Sequence, residues 1–254
     1  MKVSIITVCL NSAGTIENTM NSVLGQDYKD IEYIVVNGGS TDGTLDIINS
    51  YRSKIAKVIS EPDNGIYEAM NKGIKSSTGD VIAILNSDDV YAEHTIVSQV
   101  VEFIQNNSLD AAYGDLVYIN KNSDDHITRF WKPGEYKKGA FSYGWVLPHP
   151  TFFCRKNIFE RFGYFNDRLQ VAADFELMLR FIEKYNIKLG YLPKVFVKMR
   201  KGGKANLLRG IIHGNLEIIK SFRLNNVRLS PWFFLYKPIT KMLQLFARPS
   251  QLEL

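Results

Sequence analysis

Along the first part of this chain, short apolar runs typical of strands alternate with segments whose apolar residues have helical spacing. Runs rich in β-branched residues predict buried strands at 3–8, 31–36, 56–60 and 80–85. The segments between them carry apolar residues at helical spacing, as at Ile16, Met20, Val23 and Leu24. The alternation predicts an α/β, Rossmann-like fold, with a mostly parallel central sheet flanked by helices on both faces.

The pattern loosens after residue 107. Shorter strands and one further helix are predicted beyond it, at 111–113, 116–119, 127–131 and 173–185, with a turn-rich stretch at 132–150. We therefore divide the chain into an α/β half (1–107), a second half of the same domain (108–203) and a tail (204–254).

Composition places few limits on this organisation. With 254 residues, 45% of them hydrophobic, the chain can bury a full core and suits either one large domain or one domain plus an appendage. Cys9 and Cys154 lack the spacing of a disulfide framework or a zinc site. Lys2 leads directly into the first strand, so we expect no signal peptide and a cytoplasmic location.

Charge is distributed unevenly along the chain. Residues 1–187 carry a net charge of −6 and residues 188–254 a net charge of +11, which together give the total of +5. A basic segment of this kind favours a polyanion or an anionic membrane surface, and the alternative is a solvated basic helix.

Polar residues collect where the predicted strands end. Asn11, Asn37, residues 61–64 and residues 86–89 all occupy such positions. Ligands of open parallel sheets bind beyond the carboxyl ends of the strands. We therefore expect a binding site along this rim.

Asp88 and Asp89 are the most informative pair on the rim. Adjacent carboxylates repel each other unless water, a donor or a cation compensates. One acid suffices to cap the turn or helix that follows. The second favours Mg²⁺ or Mn²⁺, which commonly takes one or two carboxylates together with substrate phosphates.

Two further rim segments allow two interpretations each. NGGSTDGT (37–44) is either a capped turn or a loop whose backbone amides face a phosphate or a base. In SEPDNGIYEAMNKG (60–73), Lys72 could meet a phosphate; alternatively Asp63 or Asn64 caps the helix, and Asn71 with Gly73 ends it.

Asp174 and His149 are the remaining candidates for chemistry. Asp174 begins the helix predicted at 173–185 among apolar neighbours, so it is either a general base or an acid that complements the helix dipole. His149 lies between two prolines that fix its backbone, and we rank it second because a lone histidine is more often structural.

The order of these segments resembles the family 2 glycosyltransferases of the GT-A fold, of the type found in bacterial surface polysaccharide biosynthesis. The resemblance spans about residues 1–203, through VSIITVCLNSAGTIENTMNSVLGQ, NGGSTDGT, SEPDNGIYEAMNKG, AILNSDD, HPTFFCRK and AADFELMLR. It implies a nucleotide-diphospho-sugar donor, Mg²⁺ or Mn²⁺ held at the DxD-like NSDD by Asp88 and Asp89, and inversion at the anomeric carbon. It also implies that 1–107 binds the donor, that 108–203 binds the acceptor and that Asp174 deprotonates the acceptor hydroxyl.

We assign donor binding, on this resemblance, to Val8, Leu10, Asn11, Asn37, Asp63, Asn64, Asn71, Lys72, Asn86, Ser87 and Asp88. The chain departs from the family where it has Asn37 and Gly38 in place of an acidic pair and Asn86 in place of the first DxD aspartate. Leu10 stands where an aromatic residue often stacks. Uracil, thymine and guanine therefore stay open as the donor base, with UDP favoured.

The sequence of the tail predicts contact with a membrane surface rather than a transmembrane helix. Residues 231–249 contain no uncharged apolar run near the roughly 20 residues that a bilayer requires. Ile239, Met242, Leu243 and Phe246 form one apolar face, as in an interfacial helix. We expect peripheral attachment at the inner face of the cytoplasmic membrane and a glycan or polyprenyl-linked glycan as acceptor. The alternative is a helix that packs on the domain or on a second subunit of a homodimer.

Two other functions remain to be compared with sugar transfer. We expect no nucleic-acid partner for any of the three. A sugar-1-phosphate nucleotidyltransferase should carry a basic glycine-rich loop after its first strand, and VCLNSAGTIEN has none. A non-catalytic nucleotide-sugar-binding module is consistent with Asn37 and Asn86, but not with the retained acids Asp88, Asp89 and Asp174.

Overall fold

The computed structural model describes residues 1–120, 123–200, 208–247 and 249, which form one nine-stranded sheet covered by helices. The strands are β1 (Val3–Cys9), β2 (Ile31–Asn37), β3 (Lys57–Ser60), β4 (Val81–Ile84), β5 (Asp89–Tyr91), β6 (Ala111–Asn120), β7 (Ser123–Trp131), β8 (Phe153–Arg155) and β9 (Leu189–Arg200). The α-helices are α1 (Ile16–Leu24), α2 (Thr44–Ser50), α3 (Ile66–Ser76), α4 (Ile96–Asn106), α5 (Lys156–Phe162), α6 (Ala173–Leu179), α7 (Leu208–Leu224) and α8 (Phe233–Phe246).

The sheet confirms the predicted α/β class and the four predicted strands of its first half. Its order is β3-β2-β1-β4-β8-β6-β9-β5, and β7 pairs with β6. The strands from β3 to β4 pair in parallel, whereas β8 runs antiparallel to both β4 and β6. The two short strands predicted at 111–113 and 116–119 are one strand, β6, whose pairing with β9 shifts register near Asp115.

Side chains that alternate along the strands build one core on each face of the sheet. Ile6 and Val8 of β1 pack in the core that contains the buried face of α3 and most of α6. Val3 and Ile5 pack in the other core, with apolar residues of α1, α2 and α4. This period of two, set against the helical period between strands, is the pattern that predicted the fold.

The antiparallel pairing of β4 and β8 joins the two halves of the chain next to the rim. Its register places Val81 opposite Arg155 and Ala83 opposite Phe153. A 3₁₀ turn, His149–Thr151, comes immediately before β8. The pairing therefore brings His149 to the carboxyl end of β4, where the NSDD segment begins.

The predicted helix at 173–185 consists of α6 and a π-helical turn, Arg180–Lys184. Helix α7 packs against α6, and Phe175 of α6 contacts the rings of Phe222 and Phe233. Phe222 and Phe233 are fully buried. Part of the basic tail thus completes the core. Within the described residues, no helix combines the length and apolar composition that crossing a bilayer needs.

Glu32 of β2 generates a prediction about the stability of this fold. Burial opposes its ionisation, but hydrogen bonds from Ser4 and Thr78 outweigh burial and lower the pKa of Glu32 to about 2. A depressed pKa stabilises the folded state above the unfolded pKa of 4.5, and this stabilisation is lost as pH falls towards 2. We expect Glu32→Gln to cost about 3 kcal/mol at pH 7 and much less near pH 2.

Chemical denaturation at the two pH values measures this difference. Glu102→Gln, on the exposed side of α4, is the matched control and should leave the unfolding free energy unchanged at both. An equal loss for Glu32→Gln at pH 7 and at pH 2 would contradict the assigned origin of its stabilisation.

Candidate active site

The loops after β1, β2 and β4 are joined by hydrogen bonds into one rim. The carboxylate of Asp42 accepts from the backbone N–H of Ala13 at 3.0 Å and of Thr44 at 3.1 Å. The N–H of Asn11 donates to Ser40 Oγ at 2.8 Å, and Asn11 itself has a left-handed backbone, with φ of 51°. The loops are therefore held in place before any ligand binds.

Ser87 connects this rim to the end of β4. Its hydroxyl lies 2.8 Å from the hydroxyl of Ser12. Two other residues assigned to donor binding lie at the end of β1, where Val8 is buried in the sheet and the side chain of Leu10 is exposed. Leu10 can therefore contact a ligand over the rim, whereas Val8 supports the strand beneath it.

Asn37 is turned into the protein rather than towards the rim. Its Oδ1 accepts from the N–H of Ser40 at 3.2 Å, and its Nδ2 donates to Ser60 Oγ at 2.9 Å. With only 1% of its surface exposed, Asn37 fixes the β2–α2 loop. To contact a donor base directly, it would have to break these bonds.

Asp63 lies against Gly38, the residue that follows Asn37. A Cβ atom at Gly38 would come within 2.3 Å of Asp63 Oδ2, so the carboxylate occupies the space that a side chain at residue 38 would fill. Its Oδ1 accepts from the N–H of Gly65 at 3.0 Å. Asp63 thereby brings a partly exposed acid to the place where the chain lacks an acidic pair.

The remaining donor-assigned residues, which lie in α3 or just before it, make local contacts. Asn71 bonds both the N–H and the carbonyl of Phe165, at 3.0 and 2.9 Å, and Asn64 donates to Glu68. Lys72 Nζ forms ion pairs at 3.0 Å with Glu61 and with Glu68. Asn71 thus ties α3 to the loop before α6, and Lys72 would have to leave two carboxylates to meet a phosphate.

The two acids of NSDD lie in different environments. Asp88 is partly exposed, whereas Asp89, the first residue of β5, is fully buried. Burial and the neighbouring charge of Asp88 raise the pKa of Asp89 well above its usual value. The repulsion between adjacent carboxylates is therefore relieved by favouring a neutral Asp89, and Asp88 is the acid that faces solvent.

A chain of polar contacts runs from NSDD to Asp174. Asn86 Nδ2 lies 3.5 Å from His149 Nε2, and His149 Nδ1 lies 3.3 Å from Asp174 Oδ2. Tyr67 completes the chain, because its single hydroxyl proton is shared between Asp174 Oδ1, at 3.2 Å, and the carbonyl of Val171, at 2.9 Å. The structure thus brings together Asn86, His149 and Asp174, which are far apart in sequence.

Burial controls the protonation of the groups around Asp174. It lowers the pKa of His149, although the charges of Asp174 and Asp88 oppose this, and the neutral imidazole is favoured. Burial and Asp174 together raise the pKa of Tyr67, which stays a hydroxyl donor. The side chain of Asp174 is 25% exposed, so its carboxylate is held from two sides and still reaches solvent.

The sequence interpretation missed Tyr67 as a member of this site. The residue lies on α3 at a position that suits the helix core, and its ring does stack on Phe165 with centroids 5.6 Å apart. Its hydroxyl distinguished it from an ordinary core residue, because a buried tyrosine usually finds a hydrogen-bond partner.

A divalent metal would have to take part of its coordination from a ligand. Within the described residues, no group of three or more His, Cys, Asp or Glu side chains could hold a metal ion. Asp88 is a partly exposed carboxylate, and Asn86 Oδ1 is buried with no hydrogen-bond partner in the described part of the chain. One or two carboxylates with substrate phosphates suit Mg²⁺, so these residues fit the ion.

Comparison with known proteins agrees with this fold. The family model for glycosyl transferase family 2 matches residues 4–162. The chain therefore belongs to this family, as the motifs predicted, and is a glycosyltransferase. A PGL/p-HBAD biosynthesis glycosyltransferase of Mycobacterium tuberculosis is 29% identical over 210 residues, which cover 81% of this chain and 79% of the relative.

Solved structures show the GT-A fold. Staphylococcus aureus TarS 1–349 in complex with UDP-GlcNAc has a TM-score of 0.69 at 20% identity, covering 90% of this chain and 68% of TarS 1–349. The mannosyltransferase PcManGT of Pyrobaculum calidifontis, in complex with GDP-Man and Mn²⁺, has a TM-score of 0.65 at 18% identity, covering 94% and 68% of the two chains.

The contact between Gly38 and Asp63 gives a testable prediction for this rim. Gly38→Ala must displace the Asp63 carboxylate, since the new Cβ would lie only 2.3 Å from its oxygen. We expect nucleoside diphosphate to bind about tenfold more weakly, a loss of about 1.4 kcal/mol. Isothermal titration calorimetry measures the dissociation constant.

Gly14→Ala is the control on the same rim. An added Cβ there meets no atom within 4 Å, so affinity should be unchanged. Equal affinities for Gly38→Ala and the unmodified protein would show that Asp63 has no part in the donor site.

Proposed function

We propose that this glycosyltransferase moves a sugar from a nucleoside diphosphate-sugar to an acceptor hydroxyl, with inversion at the anomeric carbon. The observation that carries the proposal is the chain of contacts Asn86–His149–Asp174. Through these two contacts, the candidate base Asp174 is connected by His149 to Asn86, in the segment assigned to the diphosphate. In the proposed reaction, attack and departure occur on opposite sides of one sugar ring.

Asp174 acts as the general base in this proposal. Its carboxylate takes the proton of the acceptor hydroxyl while the oxygen attacks the anomeric carbon and the bond to the diphosphate oxygen breaks. The hydroxyl of Tyr67 and the imidazole of His149 hold the carboxylate in one orientation. A single displacement needs one base, whereas glycosidases use two carboxyl groups and water.

Asp88 is the residue best placed to hold Mg²⁺ or Mn²⁺, and Asn86 Oδ1 is a further candidate oxygen ligand. Asp89 was assigned to the metal together with Asp88 from the sequence, but it would have to leave its buried position to bind the ion. The ion, when bound with the donor, offsets the negative charge that develops on the departing diphosphate. The complex of PcManGT with GDP-Man and Mn²⁺ supports metal use in this fold.

In this proposal the donor base is recognised by Leu10, which follows β1, and by Asp63, which follows β3 and lies against Gly38 at the end of β2. Leu10 offers an exposed apolar surface, and Asp63 offers a carboxylate that can accept from an N–H of a base. Uracil, thymine and guanine all carry such an N–H. UDP is favoured, and the complexes of TarS with UDP and UDP-GlcNAc support this choice.

Nucleotide binding and turnover can be tested together. A thermal-shift screen of UDP, GDP and dTDP with Mn²⁺ should raise the melting temperature with one nucleotide, UDP, because a ligand that binds only the folded state stabilises it. Asp88→Asn should abolish the contribution of Mn²⁺ to that shift. Asp174→Asn should keep the shift but lower kcat roughly 10²- to 10⁴-fold, the range of a lost general base.

Asp167→Asn, at an exposed acid before α6, is the matched control and should retain both properties. Undiminished turnover in Asp174→Asn would remove the assigned base. Nucleotide binding without donor turnover in the unmodified protein would favour the non-catalytic module instead. Pyrophosphate release from a nucleoside triphosphate and a sugar 1-phosphate would favour the nucleotidyltransferase.

The proposed acceptor is a glycan, and specifically a polyprenyl-diphosphate-linked glycan at the inner face of the cytoplasmic membrane. Helix α8 presents an apolar stripe to solvent, with Leu235, Ile239 and Met242 each at least 44% exposed. Residues 208–247 contain six lysines and arginines and one acid. An apolar stripe on a basic segment suits an anionic lipid surface.

A pocket of about 390 Å³ at the start of α8 supports an acceptor on this side of the molecule. Its lining includes the aromatic residues Tyr143 and Trp232 and the polar residues Ser142, Arg228 and Ser230. Aromatic rings with hydrogen-bonding groups suit a sugar ring, since the ring has apolar faces and polar edges.

Vesicle flotation tests the membrane contact. Leu235→Glu combined with Ile239→Glu should weaken binding to anionic vesicles at least about tenfold, because two apolar side chains leave the interface. Leu224→Glu makes the same chemical change at an exposed position of α7 and should have little effect. Undiminished flotation of the double variant would contradict the proposal. A concentration-dependent dimer of the unmodified protein that the double variant no longer forms would favour a homodimer through α8.

A further inference from the structure

Glu217, on the tail helix α7, contacts the segment that leads into α6. Its carboxylate accepts hydrogen bonds from three successive backbone N–H groups, those of Gln170 at 2.7 Å, Val171 at 2.9 Å and Ala172 at 2.8 Å. These residues precede Asp174 by two to four positions. A side chain of the tail thus holds the backbone that presents the proposed base.

The electrostatics show that Glu217 binds this backbone as a carboxylate. Burial opposes its ionisation, but the three N–H groups and the nearby His213 outweigh burial and lower the pKa of Glu217. Hydrogen bonds to an ionised acceptor are stronger than neutral ones. Glu217 is therefore charged at neutral pH, and loss of its charge would leave three N–H donors without their acceptor.

The same segment is held from the opposite side by Tyr67. The single hydroxyl proton of Tyr67 is shared between the carbonyl of Val171, at 2.9 Å, and Asp174 Oδ1, at 3.2 Å. On the side of α7, Gly214 allows close packing, because a Cβ there would lie 3.3 Å from Val171 Cγ1. Residues 170–172 are thus fixed between α7 and α3, and Tyr67 links that position to the Asp174 carboxylate.

We infer that Glu217 is a positioning residue that sets the orientation of Asp174 for proton transfer. The inference rests on the proposed function, in which Asp174 is the base. It assigns the tail a role in turnover that is separate from membrane contact. The sequence carried one signal for it, since Glu217 is one of only two acids among residues 188–254.

Glu217→Gln is the decisive variant. Glutamine keeps the size of the side chain but has one oxygen in place of two and directs an NH₂ group towards N–H donors. We expect kcat to fall about 10- to 100-fold, because small misplacements of a catalytic group have effects of this size, while KM for the donor changes less than about twofold. Hydrogen exchange of the amides of residues 170–172 should accelerate.

Asn225→Ala, at the residue immediately after α7, is the matched control. It removes a hydrogen bond of 2.8 Å to Glu176 of α6, and Glu176 keeps its ion pair with Arg180. Both variants weaken the docking of α7, so both should lower the melting temperature. Only Glu217→Gln should lower kcat and expose the amides of residues 170–172.

Two results would overturn the inference: unchanged kcat and unchanged exchange in Glu217→Gln, or equal losses of kcat in both variants. Failure of the proposed function would look different. Asp174→Asn would then keep full turnover, while the exchange of residues 170–172 in Glu217→Gln would still decide whether Glu217 holds this segment.

Discussion

The contact of His149 with Asp174 on one side and Asn86 on the other is the interaction on which the site depends. It exists because β8 pairs antiparallel with β4, so the turn before β8 meets the end of β4. The imidazole then spans the distance between the two halves of the chain. Since burial keeps this imidazole neutral, the contact joins the two sides by hydrogen bonding and adds no net charge.

Local pattern was sufficient to predict much of the fold and the position of the rim. The periods of two and 3.6 predicted β1 to β4 and the helices between them, because both periods record which side of an element is buried. Parallel pairing places Cys9 beside Asn37, so the polar residues after these strands lie at one edge. Family motifs identified Asp174 and NSDD as candidates, and the structure places them near each other.

Hydrogen-bond partners could not be predicted in the same way. Asn37 and Asn71 suited a ligand by residue type, but their amides bond Ser40, Ser60 and Phe165 within the protein. Asp88 and Asp89 look alike in sequence, but the structure places Asp89 in β5, paired with β9, and buries it fully. Tyr67 and Glu217 were missed because their partners Asp174 and Val171 lie 107 and 46 residues away along the chain. Tertiary contacts of this range leave no local pattern.

Anomalous diffraction from crystals soaked with Mn²⁺ and UDP tests the central claim most directly, that a metal-bound diphosphate and the base face each other across the His149 contact. The account predicts a manganese peak at coordination distance from the Asp88 carboxylate, with the diphosphate beside it and Asp174 facing the open side of the donor site. A manganese peak elsewhere with the nucleotide bound, or a diphosphate placed away from both Asp88 and Asp174, would contradict it.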